Sequence, residues 1–451
     1  MKPVKSLGAF SLAMMNIAIV GSVQLITASS TYGLPVVFFY LIAALVFFIP
    51  CILVTKELAI RYPTIGGVFI WVEHALGKKM GFFTVCILWL ANLIWYPTIF
   101  SFIVAGIAYL FKPELADSKV YMVSGVLILF WAITFLNCFG IRVSSLISTL
   151  GSLFGILLPM FLLLIMGLVW YVKGGQSNVQ FTKEQFLPNF SHFANWAFLI
   201  QIIISLSGIE MSAVHAGDVR NPKKDFPRSL LYSGCAIFII LISASLSIAM
   251  VLPSKEISLV SGVFNAFKQY LGDFGLAYLL PLIGSFVILG NFGNVSSWMI
   301  SSTRAMHVAC QHCHLPHYFQ ATNRYEAPVG ILILEAILFS IICLVFLLLP
   351  SVNASYWTLL DLASQVALLY YILIFTSAIL LRWRLKHKKY AINFPAIVGG
   401  LAAAGAIFVG FLPPESIGMG SAMIYRLVLG LGILLAVLIP IVLLQFSHKE
   451  K

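Results

Sequence analysis

The sequence predicts an all-α polytopic membrane protein with 12 transmembrane helices. Three observations predict it. Of the 451 residues, 61% are apolar and only 9% are charged, where a soluble domain would have about a quarter of its residues charged. Twelve apolar runs are each about 20 residues long or longer, the length that crosses a hydrocarbon core. Lysine and arginine collect at one end of those runs. The net charge of +12 is therefore read as loop charge beside a lipid bilayer, and nucleic acid is not expected as a partner.

Run 1, about 6–29, follows Lys2 and Lys5, and Ala28-Ser29-Ser30 imitates a signal cleavage site. It is longer than the apolar core of a signal peptide, so it is retained as a span. Gly21-Ser22 interrupts it near mid-length. Run 2 (34–55) begins after Gly33 and stops short of Pro63 and Gly66-Gly67. Run 3 (80–111) is unusually long and ends before Pro113. Runs 4 (119–139) and 5 (145–172) follow. Run 6 (194–216), beyond Pro188, breaks at Ser207-Gly208, carries Glu210, and leads into a basic loop with Arg220, Lys223, Lys224 and Arg228. Run 7 (229–252) ends at Pro253. Run 8 (275–308) matches run 3 in length. Runs 9 (328–349), 10 (356–381), 11 (391–412) and 12 (422–446) are separated by Pro350, by the basic stretch around Lys386, Lys388 and Lys389, and by Pro413-Pro414. Glycine and proline are the expected punctuation between such segments. No long hydrophilic insert intervenes. One transmembrane domain over 1–451 is expected, with repeat one at about 6–172, repeat two at about 194–381, and extra helices at about 391–446.

Orientation follows from charge. With the N-terminus inside, twenty basic residues fall on the cytoplasmic side, including those of the run 6–7 loop and, at the far end, Lys449 and Lys451. Seven fall outside: Lys112, Lys119, Lys173, Lys183, Lys255, Lys268 and Arg426. That asymmetry places both termini in the cytoplasm of a cell whose inner (plasma) membrane the chain crosses many times. Shifting the count by one helix would scramble it. The seven cysteines are odd in number and lie mostly inside apolar runs, which argues against a disulfide framework.

Runs 1 and 6 carry matching Gly/Ser breaks, and runs 3 and 8 match in length. The paired segments are five runs apart, and five is odd, so the two halves insert in opposite senses. Broken helices in matching positions of an inverted repeat point to a transporter's binding site. Glu210 beside one break is costly at bilayer depth, roughly 2.5–3.5 kcal/mol on insertion scales, and such acids are seldom there without a task. It is the candidate proton-coupling residue.

Four stretches carry a family resemblance: GGVFIWVEHALG (Gly66 to Gly77), SGIEMSAVHAGDVRNPKKDFPRS (Ser207 to Ser229), SIAMVLPSKEISLVSGVF (Ser247 to Phe264) and SSWMISSTRAM (Ser296 to Met306). They resemble the amino acid–polyamine–organocation superfamily, and are most similar to its bacterial glutamate/GABA antiporters. The likeness runs from about residue 7 to 446, and FLPPESI (Phe411 to Ile417) narrows it. The resemblance implies the five-plus-five repeat with two extra helices. It also implies an amino acid antiporter working by alternating access, with a proton-coupled amino acid or polyamine permease, or a non-transporting sensor of the same fold, as alternatives. In that reading Gly21 and Ser22 offer N–H groups and a hydroxyl to the substrate carboxylate. Ser207, Gly208 and Ile209 offer carbonyls to its ammonium group. Glu210 senses a proton or the substrate charge, Trp298 packs over the substrate, and Tyr371 faces it. Two departures fall in the pocket: Val23-Gln24-Leu25 follows the first break, and Asn294 stands where the glutamate antiporters have an acid. The folded tail that plugs those antiporters has no counterpart before Lys451, so that gating is not expected.

Other candidates are weaker. Cys310-Gln311-His312-Cys313-His314 matches a haem-attachment spacing but lies at the cytoplasmic end of run 8, and no second cysteine pair completes a zinc site. No metal or cofactor is expected. Glu335 reads as a packing or interfacial residue, Asp361 as a residue of an access path, and His215 as a solvated residue of run 6. Arg304 is placed to close an inner gate against Glu57 or Asp218. The aromatic residues other than Trp298 and Tyr371 are assigned to lipid and interface. A channel would need a continuous polar lining, which the runs lack. A membrane enzyme would need an intramembrane nucleophile–base or metal set, and no H-E-x-x-H pattern occurs.

Overall fold

A computed structural model describes residues 7–188, 194–258, 261–348, 352–385, 392–412 and 422–446. Lys2, Lys5, Pro350, Lys386, Lys388, Lys389, Pro413-Pro414, the rest of the FLPPESI motif (415–417), Lys449 and Lys451 lie outside them. The described residues are helical apart from turns and one isolated parallel bridge, Leu7 with Val219. Among the described residues, ten helices are long and apolar enough to cross a membrane, or up to eleven if the bent pair Ala9–Val20 and Val23–Ser30 counts as one span. Run 9 forms the apolar helix Val329–Leu348.

The helices outrun the apolar stretches that predicted them. Run 7 starts at Pro222 instead of 229 and continues to Val251. Pro222 sits where a helix needs no N–H, and the Asp225 carboxylate accepts the Asn221 N–H at 3.0 Å, so charged residues read as loop form the first turns. Two shorter helices escaped prediction, Val68–Leu76 between runs 2 and 3 and Gly262–Asp273 between runs 7 and 8. At 9 and 12 residues they are too short to span and carry no span-length apolar signal.

Run 1 is the centre. Every residue from Leu12 to Ser30 is buried, while runs 11 and 12 turn Phe394, Leu401, Phe408, Leu427 and Leu431 outward. Helices in lipid gain little from burying apolar surface against each other, so close backbone contact matters more. Runs 5 (Ile141–Val172) and 8 (Leu280–His312) show this. A Cβ built on Gly155 would lie 2.0 Å from the backbone nitrogen of Gly290, and one on Gly151 would lie 2.8 Å from Gly293 Cα. Nothing larger than glycine fits that crossing. Run 8 also packs on run 1, where the site forms.

Candidate functional site

Run 1 ends its first helix at Val20 and begins its second at Val23, with a 48° bend between them. A helix end leaves carbonyls without intrahelical donors, and at membrane depth no water stands in for them. Run 8 supplies the donors. Asn294 Nδ2 donates to the carbonyls of Ala18 (2.7 Å) and Ile19 (3.1 Å), and Trp298 Nε1 donates to Ile19 at 2.9 Å. The Ser22 hydroxyl is buried and has no partner. Asn294→Ala removes a donor from two buried carbonyls, a loss of about 1–3 kcal/mol. We expect a lower thermal unfolding midpoint in detergent; an unchanged midpoint would contradict the bracing role.

Run 6 changes its coil at the second break. Its α-helix ends at Ser205, and Ile209–Asp218 continues as a tighter, ten-residue 3₁₀ coil, far longer than such coils usually run. Gly208 joins them at φ +105°, and a Cβ there would lie 2.6 Å from both Ile19 Cγ2 and Trp298 Cζ2. The two breaks and the run 8 tryptophan therefore touch. The Gly208 N–H donates to the Tyr371 hydroxyl at 2.6 Å, which donates to Glu210 Oε1 at 2.9 Å. Glu210 is wholly buried, and its Oε2 has no partner. Two of the three carbonyls expected to face an ammonium group are partly engaged: Gly208 accepts from the Met211 N–H (3.0 Å) and Ile209 from the Ser212 hydroxyl (3.2 Å).

A cavity opens beside the breaks. Of the residues proposed from the sequence, Ser22, Ser207, Trp298 and Tyr371 line it. Gly21, Gly208, Ile209 and Glu210 are not on its wall, and Asn294 is spent on run 1. Sequence reasoning missed the run 3 wall of Leu88, Ala91, Asn92 and Trp95, and the run 10 wall of Ala363, Ser364 and Ala367. A signal existed: 88, 91, 92 and 95 share one helical face, and Asn92 is a lone amide in an apolar run. Its Nδ2 is buried without a partner. Trp95, assigned to lipid from the sequence, instead lies against Trp298 with ring centroids 6.1 Å apart. No charged side chain lines the cavity.

Polar contacts join runs 1, 6 and 8 at the end of the molecule that carries the basic run 6–7 loop. Arg304 NH1 donates to Asp218 Oδ2 at 2.6 Å and to His215 Nδ1 at 2.9 Å. An arginine only donates, so Nδ1 is the acceptor and Nε2 carries the proton toward Ser301, 3.1 Å away. Of the two acids weighed for Arg304, Asp218 is the partner. His215 is wholly buried, which corrects the solvated reading: Arg304 and Ser301 replace water. Leu7 exchanges backbone hydrogen bonds with Asp218 and Arg220 (3.1 and 2.9 Å), and the Gly66 N–H donates to Val214 at 3.2 Å.

The remaining candidates are placed elsewhere. Asp361 is buried, accepting from Gln201 of run 6 and Tyr425 of run 12, and is not on the cavity wall. Glu335 is wholly buried, which rules out an interfacial place. Cys310 and Cys313 are buried; Cys313 Sγ donates to the Lys78 carbonyl at 3.6 Å, and His312 pairs with Glu73 at 3.1 Å. Among the described residues no group of three or more His, Cys, Asp and Glu is placed to hold a metal ion.

Comparison with known proteins agrees with this architecture. The profile of a family described as amino acid permease matches residues 7–434. An uncharacterized transporter of Legionella pneumophila is 38% identical over 97% of this chain and 96% of its own. A glutamate/gamma-aminobutyrate antiporter of Lactococcus lactis is 26% identical over 99% and 92%. A probable agmatine/putrescine antiporter of the same species is 25% identical over 76% and 73%.

Proposed function

The chain belongs to the amino acid permease family, and from that premise we propose that this multi-span membrane transporter exchanges amino acids by alternating access. The observation that carries the reading is the cavity between two broken helices, walled by neutral side chains and by unpartnered polar groups. The substrate carboxylate meets the Ser22 hydroxyl and the N-terminal end of Val23–Ser30, where helix N–H groups and partial positive charge favour an anion. Gly21 keeps the break open. The ammonium group meets the Ser207 end of run 6, with Gly208, Ile209, Glu210 and Tyr371 behind it. Trp298 covers the substrate, and Asn294 holds run 1 in place.

We propose 12 spans, Val329–Leu348 included, forming one transporter unit in the plasma membrane with both termini cytoplasmic. The two unpredicted short helices support the inverted repeat, because they follow runs 2 and 7, which correspond in the two halves. Runs 1, 2, 6 and 7 rock against 3, 4, 8 and 9. The Arg304–Asp218 seal is the closed cytoplasmic gate, so the structure supports a state shut toward the inside.

The neutral wall favours an amino acid without a charged side chain over glutamate or a diamine, since a desolvated charge there would find no opposite partner. Purified protein in liposomes preloaded with one amino acid, tested for counterflow against a panel at pH 5 and pH 7, decides this. We expect exchange of neutral amino acids. Uptake into empty liposomes would favour a proton-coupled permease, and glutamate as the sole substrate would refute the specificity. Glu210 is proposed as the proton-coupling residue, so Glu210→Gln is expected to flatten the pH dependence of exchange; an unchanged profile would remove it from that role.

A further inference from the structure

A second buried acid stands apart from the cavity. Glu335, on run 9, is wholly buried, accepts from the Thr303 hydroxyl of run 8 at 3.0 Å, and has its other oxygen unpartnered. From run 3, the Trp89 indole N–H and the Tyr96 hydroxyl face the same carboxyl group, and neither closes a hydrogen bond. Both rings are almost wholly buried, and Tyr96 lies between Glu335 and Ser302. Among the described residues, runs 4 and 10 and the short helix His317–Gln320, which also pack on run 9, make no ion pair or side-chain hydrogen bond with Glu335. Arg304, next to Thr303, turns instead to Asp218 and His215.

We propose that this chamber is a proton-binding site at which Glu335 alternates between carboxylic acid and carboxylate. Burial without a counter-ion favours the neutral form. The Thr303 hydroxyl already donates to one oxygen, and the unbonded Trp89 and Tyr96 donors stand ready to receive an anion at the other. A group for which both states are affordable is what reversible proton binding needs. A metal cation is a poor occupant, because an indole N–H cannot ligate one and hard cations take oxygen ligands. The proton comes from water and returns to it, and no other bond changes.

The site touches both working parts of the molecule. Trp89 and Tyr96 are seven residues apart on the run 3 face next to the one that lines the cavity, and Thr303 adjoins the gate arginine. Proton occupancy at Glu335 therefore bears on run 3 and run 8 together. Proton binding itself does not depend on the transport reading.

The test is infrared difference spectroscopy of the full chain in liposomes between pH 5 and pH 8, in the carboxyl stretching region. We expect a component that Glu335→Gln removes and Glu210→Gln leaves in place. A Glu335→Gln spectrum identical to the parent overturns the site, as does a component that appears only on changing sodium. Should Glu335→Gln fail to fold, Thr303→Val takes its place: losing one donor must displace the pH midpoint of that component, and an unmoved midpoint overturns the proposal equally.

Discussion

Gly208→Val is expected to lower amino acid counterflow by about a hundredfold or more. At φ +105° a β-branched residue is a strong outlier, costing about 1–3 kcal/mol. The added carbon also meets Ile19 Cγ2 and Trp298 Cζ2, each 2.6 Å away, and overpacking of this kind costs about 1–3 kcal/mol more. The protein relieves the strain by moving the break. That separates the Gly208 N–H from Tyr371, frees Glu210, and displaces the tryptophan that covers the cavity. Roughly 1.4 kcal/mol corresponds to a tenfold change in an equilibrium, so losses of this size reach a hundredfold. Gly208→Ala should fall between valine and the parent. Parental exchange in a well-folded Gly208→Val protein would show that the break does not shape the site.

Arg304→Gln is expected to open the molecule at its basic end. The Arg304 and Asp218 side chains are only 15% and 12% exposed. Breaking a buried pair by removing one partner costs about 3–5 kcal/mol, and partial exposure places this pair at or below the low end. That cost falls on the shut state, because Asp218 can find water once the end opens. A shift of about a hundredfold in the open-to-shut ratio follows. With the seven native cysteines replaced and Ser207→Cys in the cavity wall, a membrane-impermeant thiol reagent reports it. Labelling from the basic side should rise steeply in Arg304→Gln and be restored toward parental rates by Arg304→Lys. Equal labelling in parent and Arg304→Gln would deny the gate.

Much of this was legible in the sequence, because the bilayer imposes strict rules. Apolar length located the long helices, and the Gly21-Ser22 and Ser207-Gly208 pairs located both breaks, since glycine is the residue an interrupted helix needs. Charge at one end of the runs left Arg304 with two acids, Glu57 and Asp218, and the structure pairs it with Asp218. What failed to show was whatever depends on rotation about a helix axis. Asn294 and Asn92 are both amides in apolar runs, yet one is consumed by run 1 carbonyls and the other faces the cavity. His215 looked solvated because it follows a break; the 3₁₀ coil turns it inward to Ser301 and Arg304. Val68–Leu76 and Gly262–Asp273 were invisible for lack of length.

The central claim is that the transported molecule sits in the hollow between the two breaks. Alkylation of Ser207→Cys in proteoliposomes, timed with and without the amino acid that drives counterflow, tests it directly. Protection that saturates over the same concentrations as exchange is the predicted result; labelling untouched by a saturating substrate, with exchange intact, would place the binding site elsewhere.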